Sequence, residues 1–165
     1  MLITQGIHTL DLMLNLTGPV DAVQAMAATT GLHRMETEDF VGAGLRFANG
    51  ATGALMATTA FYPGGTEAIV LACSEAIATL SGGVLKLDWL DGRAESFGEE
   101  KTGTGGGADP MAFPFDWHKA QIAEFVEAVE AGRDPLSNGR TALRVHRLID
   151  ALIASSREGR RVTVA

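Results

Sequence analysis

"DFVGAGLRFANGATGALMATTAF", residues 39–61, decides how this chain is read. Two runs, Asp39–Ala48 and Ala51–Phe61, flank Asn49-Gly50, the residue pair that best accepts the positive φ values of a two-residue hairpin turn. In the first run Val41, Ala43, Leu45 and Phe47 face one way, and Gly42, Gly44, Arg46 and Ala48 the other. In the second, Ala51, Gly53, Leu55, Ala57, Thr59 and Phe61 alternate with Thr52, Ala54, Met56, Thr58, Ala60 and Tyr62. Arg46 is the only charge between Val41 and Tyr62. A half-solvated antiparallel sheet alternates apolar with charged residues more sharply than this. The hairpin therefore predicts a sheet with one face covered by helices and a second face, small and flat, that packs against a copy of itself. A homodimer, or a tetramer built from such dimers, is expected through that open face.

Outward from the hairpin, Ile7, Leu10, Met13, Leu14 and Leu16 recur at helical spacing until Gly18-Pro19, predicting a helix over Gly6–Leu16. Val20–Thr29 alternates like a strand, and Gly31–Glu38 reads as a loop. Beyond Pro63-Gly64-Gly65, the runs Glu67–Cys73, Ala76–Leu80 and Val84–Trp89 read as further strands, so a mainly antiparallel sheet of about five or six strands is expected. Cys73 alternates with Leu71 in an apolar run, which predicts a buried, inert thiol. Asp116–Ala131 carries the apolar stripe Ile122, Phe125, Val126 and Val129, and Trp117 with the neighbouring phenylalanines would pin its entry to the core. Gly139–Ser156 is a second C-terminal helix closed by Gly159, and Arg161–Val164 reads as a last short strand. "TGTGGG", within Gly98–Pro110, lacks the Lys-Ser/Thr ending of a phosphate loop and reads as a surface loop.

The totals close off whole classes. With 165 residues, the chain is expected to form one domain, 1–165. Thirteen basic against twenty acidic side chains give a net charge of −7, which argues against nucleic acid as a partner. No apolar run is long enough to span a bilayer, and no signal peptide precedes the first helix, so a membrane partner is not expected. A single cysteine fits a reducing, cytoplasmic compartment.

His8 is the first candidate for chemistry. Placed in the first turn of its helix, it would meet the positive potential of unpaired N–H groups, which disfavours imidazolium and keeps the ring basic. A neutral imidazole facing a cleft can take a proton from a hydroxyl; one that only hydrogen-bonds near a helix start is the structural alternative. Asp11 and Asn15 follow on roughly the same face. His118 opens a later helix and could reach a cleft or stay exposed, and Phe61-Tyr62 could line a pocket mouth or cap a core. His8, Asp11, His33, Glu36 and Asp39 could each ligate a metal, but no spacing among them is a metal signature, so none is expected. No Gly-x-Ser-x-Gly elbow is present.

"GIHTLDLML" (6–14), "EDFVGAGLRFANGATGALMATTAFYPG" (38–64) and "FPFDWHKAQIAEFVEAVEAGRDPLSNGRTALRVHRLIDALIASSREGRRV" (113–162), in this order, resemble the C-terminal domain of the glucose–fructose oxidoreductase / inositol dehydrogenase (Gfo/Idh/MocA) family. The resemblance implies an α+β fold, dihydrodipicolinate-reductase-like, with helices packed on one face of an open, mostly antiparallel sheet. It implies that His8 stands at the family's catalytic histidine. An aspartate four residues earlier in many members is Thr4 here, which can bond an imidazole but cannot stabilise imidazolium by charge. Asp11 matches the motif's trailing aspartate, with a structural or substrate-proximal role, and Tyr62 falls where some sugar and polyol dehydrogenases place a substrate-contacting aromatic. The substrate-binding set implied is thus Thr4, Asp11, Tyr62 and His118.

Family members carry an N-terminal Rossmann domain for NAD or NADP. Here no Gly-x-Gly-x-x-Gly follows a strand, and the family's Glu-Lys-Pro motif is missing, so the cofactor is expected to be held by another part of a full-length protein. The expectation is the substrate-binding and oligomerisation half of an NAD(P)-dependent dehydrogenase that oxidises CH–OH groups of a sugar, polyol or related hydroxyl compound, inactive by itself. The alternative is a non-catalytic assembly or small-ligand-binding module of the same fold.

Overall fold

The computed structural model describes residues 1–99 and 115–165. Its elements run as a π-helical turn (Leu2–Gly6), α1 (Ile7–Thr17), β1 (Val20–Ala28), β2 (Phe40–Phe47), β3 (Thr52–Thr58), β4 (Ala68–Ala72), β5 (Ala76–Ser81), β6 (Val84–Trp89), β7 (Ala94–Phe97), α2 (Asp116–Glu130), α3 (Gly139–Glu158) and β8 (Val162–Thr163). The class is α+β with antiparallel strand pairing throughout, as the sequence implied. The strands form two four-stranded sheets, β3-β2-β1-β8 and β4-β5-β6-β7, rather than one of five or six. The chain divides correspondingly into two compact units, Met1–Ala60 with Phe115–Ala165, and Phe61–Pro114. The expected glycine-rich loop lies almost entirely outside the described residues. Among the described residues no helix is long and apolar enough to cross a membrane.

In the first unit the hairpin forms where Asn49-Gly50 places it. Gly50 has φ +90°, and the Asn49 carboxamide oxygen accepts from Ala51 N–H. Rows of cross-strand partners set the two faces. Val23–Leu45–Gly53, Ala25–Ala43–Leu55 and Ala27–Val41–Ala57 line the core side. At Gly53 a Cβ would come within 3.1 Å of the Phe47 ring, which would have to yield by a few tenths of an ångström. Leu148, Leu152 and Val145 of α3 and Leu10 and Leu14 of α1 complete the core, all nearly inaccessible to solvent. Asn138 caps α3 by accepting from Thr141 N–H at 3.0 Å, and Gly159 ends it in the left-handed region.

β8 is only two residues long and, among the described residues, leaves the rest of β1 without a neighbouring strand on that edge. Two serines of α3 take its place. Ser155 Oγ accepts from Ala25 N–H at 2.9 Å and donates to the Arg160 carbonyl at 2.6 Å; Ser156 Oγ accepts from Ala27 N–H at 2.7 Å and donates to the Ala27 carbonyl at 3.3 Å. Backbone groups that would otherwise be stranded under the helix are thereby satisfied. On the opposite face the rows are Gln24–Gly44–Ala54 and Met26–Gly42–Met56, and both methionines are more than two-thirds exposed.

The α2 stripe departs from its expected role. Ile122, Phe125, Val126 and Val129 are about half exposed or more, and so are Phe115 and Trp117, so neither stripe nor entry aromatics are buried in the core. Ala128 is the buried position of α2, and the turn after it folds back through Arg133 and Leu136 N–H onto Glu124. In the second unit Asp91-Gly92 turns β6 into β7, a strand not read from the sequence, and Arg93 lies 4.8 Å from the centre of the Trp89 ring. Cys73 is exposed, correcting the buried thiol: it follows the last residue of β4, where alternation no longer dictates burial.

Candidate active site

The helix bearing His8 starts earlier, and less regularly, than its apolar periodicity indicated. The Met1 carbonyl accepts from Thr4, Gln5 and Gly6 N–H groups at 3.2, 3.0 and 3.4 Å, giving one π-helical turn before α1. Glu38, at the entry to β2, closes that turn: its carboxylate accepts from Leu2 N–H at 2.8 Å and pairs with the Met1 ammonium at 3.1 Å. Burial works to raise the Glu38 pKa, but these donors outweigh it and hold the carboxyl below its ordinary value. His8 is consequently the second residue of α1 but lies beyond the first helical turn of the chain. The free N–H groups expected around it sit instead near Leu2 and are partly capped.

His8 is exposed. Thr4, His8, Asp11 and Asn15 fall at intervals of four, three and four residues and share one stripe of the helical run. Thr4 Oγ1 donates to the Met1 carbonyl at 3.2 Å, so this hydroxyl is engaged with the backbone. Asp11 is half-buried. Asn15 Nδ2 donates to the Asp11 carbonyl at 2.9 Å and approaches its Oδ2 at 3.4 Å, while Asn15 Oδ1 accepts from Arg144 Nη2 of α3 at 3.3 Å. The structure thus puts three of the residues singled out in the sequence on one stripe and adds Arg144, which sequence reasoning missed. Its signal was the recurrence of arginine at 140, 144 and 147, one side of a helix.

His118 is exposed near the start of α2, and no contact among the described residues ties it to that stripe. Tyr62 belongs to the second unit and is 95% exposed, beside the cis Tyr62–Pro63 peptide. A shallow groove of about 230 Å³ beside α2 is lined by Gln121, Ile122, Glu124, Phe125, Pro135 and Ser137, none of them a residue singled out for the site.

His33 and Asp39 form a separate polar cluster. The Asp39 carboxylate is fully buried and accepts from Thr30 N–H and Thr30 Oγ1, both at 2.7 Å, with His33 Nδ1 at 2.9 Å. Burial would raise its pKa, but the Thr30 and His33 hydrogen bonds prevail and bring it down to about 2. The carboxylate ties the β1–β2 loop together. Among the described residues no group of three or more His, Cys, Asp or Glu could hold a metal ion.

Residues 1–79 match the model of the GFO/IDH/MocA C-terminal domain. No curated protein matches the chain. Among solved structures, an oxidoreductase from Agrobacterium radiobacter in complex with NAD+, L-tartaric acid and magnesium is similar over 99% of this chain and 49% of its own, with 20% identity and a TM-score of 0.80. The WlbA dehydrogenase from Bordetella pertussis in complex with NADH and UDP-GlcNAcA aligns over 99% and 45%, with 24% identity and a TM-score of 0.75. An NAD-binding oxidoreductase from Klebsiella pneumoniae aligns over 99% and 50%, with 20% identity and a TM-score of 0.81. The chain therefore spans about half the length of the solved structures that share its fold.

Proposed function

We propose, from a chain that carries Gfo/Idh/MocA C-terminal-domain sequence over residues 1–79, that it is the substrate-binding and assembly half of an NAD(P)-dependent oxidoreductase acting on a sugar, polyol or related hydroxyl compound. The observation that carries the reading is that the matched segment contains the exposed His8 and its polar stripe. In this reading His8 accepts the hydroxyl proton of the substrate through a ring nitrogen, and Asp11, held by Asn15, bonds a second hydroxyl. Tyr62 and His118 enter as further substrate contacts on family likeness alone.

The described residues do not fit a dinucleotide. No strand among them passes through a described turn directly into a helix, the arrangement that cradles a pyrophosphate. NAD or NADP is accordingly assigned to the rest of a longer protein, and the chain alone is expected to bind no dinucleotide and turn over no substrate. Assembly is assigned to the open sheet face. The Met26–Gly42–Met56 row gives it a flat centre that a twofold copy can cover, forming a dimer or a pair of dimers.

One observation favours the second reading, a non-catalytic ligand-binding or assembly module. Thr4 is uncharged and its hydroxyl is committed to the Met1 carbonyl, so it gives His8 no charged partner. Titrating the isotope-labelled chain with a panel of neutral polyols tests the site. Shifts of the His8 ring signals, abolished by blocking the stripe with Asp11→Leu, support the substrate-binding reading; a panel that leaves His8 and Asp11 undisturbed overturns it.

A further inference from the structure

We infer that the arginines in the N-terminal half of α3 make the far end of the α1 stripe an oxyanion site, so that its ligand is an acidic polyol bearing a carboxylate or a phosphate. The inference rests on the site proposed above and names its substrate class.

Three features of the sequence and fold converge on Arg144. First, Asn15 is held from both sides: its amide nitrogen donates to Asp11 and its oxygen accepts from Arg144 Nη2. The guanidinium is thereby placed where the His8 stripe ends. Second, Arg140, Arg144 and Arg147 break the local rules of the helix that carries them. They repel one another at spacings of four and three residues, Arg140 sits in a first turn with no acidic residue, and the N-terminal end of a helix disfavours cations. Such uncompensated local cost is characteristic of residues kept for binding.

Third, no carboxylate forms an ion pair with them among the described residues, although Asp150 follows Arg147 by three positions on the same helix. The chain is acidic overall, at −7, and Arg46, Arg93, Arg133, Arg160 and Arg161 each lie within reach of a carboxylate. Arg140, Arg144 and Arg147 are exposed and have no such partner among the described residues. The one carboxylate on the stripe, Asp11, faces Asn15 rather than a guanidinium.

Seven residues separate His8 from Asn15, an axial rise of about 10.5 Å at ~1.5 Å per residue, so a ligand that meets both lies along the stripe. Arg144 Nε donates to the Thr141 carbonyl at 3.4 Å and Nη2 to Asn15, which leaves the Nη1–Nη2 edge to present two parallel N–H groups to a carboxylate or phosphate, a match that a neutral hydroxyl cannot exploit.

The test uses the whole 165-residue chain and three probes of common carbon skeleton: D-glucitol, D-gluconate and D-glucitol 6-phosphate. Binding is followed by calorimetry and by the His8 ring, Asn15 amide and Arg144 Nε signals. At least one acidic probe should bind ten times more tightly than D-glucitol, and comparing the two tells carboxylate from phosphate. Arg144→Ala should erase that preference without lowering Tm, and Arg144→Lys should restore part of it. Equal affinity for acidic and neutral probes overturns the inference, and His8 shifts in that experiment would leave the proposed site standing. An acid preference that disturbs Arg144 but not His8 upholds the anion site and removes the catalytic reading. No binding of either acid, or an Arg144→Ala variant that lowers Tm while retaining the preference, overturns the inference.

Discussion

Ser155→Ala should be far more damaging than its size suggests. The side chain is fully buried, and its hydroxyl takes the N–H of Ala25 at 2.9 Å and gives its proton to the Arg160 carbonyl at 2.6 Å. Alanine keeps the methylene and removes both bonds. The Ala25 donor is then stranded between β1 and α3, which costs about 1–3 kcal/mol, and the lost bond to Arg160 adds about 1 kcal/mol. The total is roughly 2–4 kcal/mol, and roughly 2–4 °C of Tm follow from each kcal/mol in a chain of this size. Ser156→Ala removes a similar pair of bonds from a half-buried position where water can replace the hydroxyl, so about 1 kcal/mol is expected there. Urea unfolding followed by far-UV circular dichroism measures both. A Ser155→Ala cost below ~0.5 kcal/mol, or one no larger than that of Ser156→Ala, would refute the claim that these serines replace the missing strand pairing along β1.

Two further outcomes follow from the same geometry. Asp39 titrates at about 2 in the folded chain against an ordinary 3.8, so its stabilising effect is present above that ordinary value and disappears as pH falls towards 2. Asp39→Asn should lower stability at neutral pH and flatten its decline in that acid window; an unchanged acid-unfolding profile would remove Asp39 from the account. For the sheet face, light scattering should give a multiple of 17.3 kDa for the native chain and the monomer mass after Met56→Lys with Thr58→Glu. A monomeric native chain, or an oligomer indifferent to both charges, would sink the assembly proposal.

How much was legible in the sequence depended on whether a residue's role was local. Asn49-Gly50 fixed the hairpin because a turn's φ requirements are met by the turn's own residues, and Gly159 marked the end of α3 in the same way. The serine pair 155–156 was invisible: nothing nearby in sequence indicates that β1, some 130 residues away, lacks a neighbour there. The stripe of α2 misled for a related reason, since periodicity shows that a face is apolar but not what covers it. In the site, the α1 stripe could be read from spacing alone. The π-helical turn that moves His8 past the first helical turn could not, because Glu38, which closes it, comes from 36 residues further along the chain. Asp39 likewise read as the first residue of a strand run, and its burial depends on Thr30 and His33 folding over it.

The central claim is that His8 accepts the substrate's proton in an oxidoreductase of which this chain is one half. It is tested most directly by steady-state turnover of a polyol by the protein that joins this chain to its nucleotide-binding part, with and without His8→Ala. Loss of a general base typically lowers turnover ~10²–10⁴-fold, and the account predicts a fall of that order in kcat with a much smaller change in KM. Because His8 is exposed and its ring makes no hydrogen bond among the described residues, the variant should keep the Tm of the parent. Parent-like kcat in a folded His8→Ala enzyme would contradict the account.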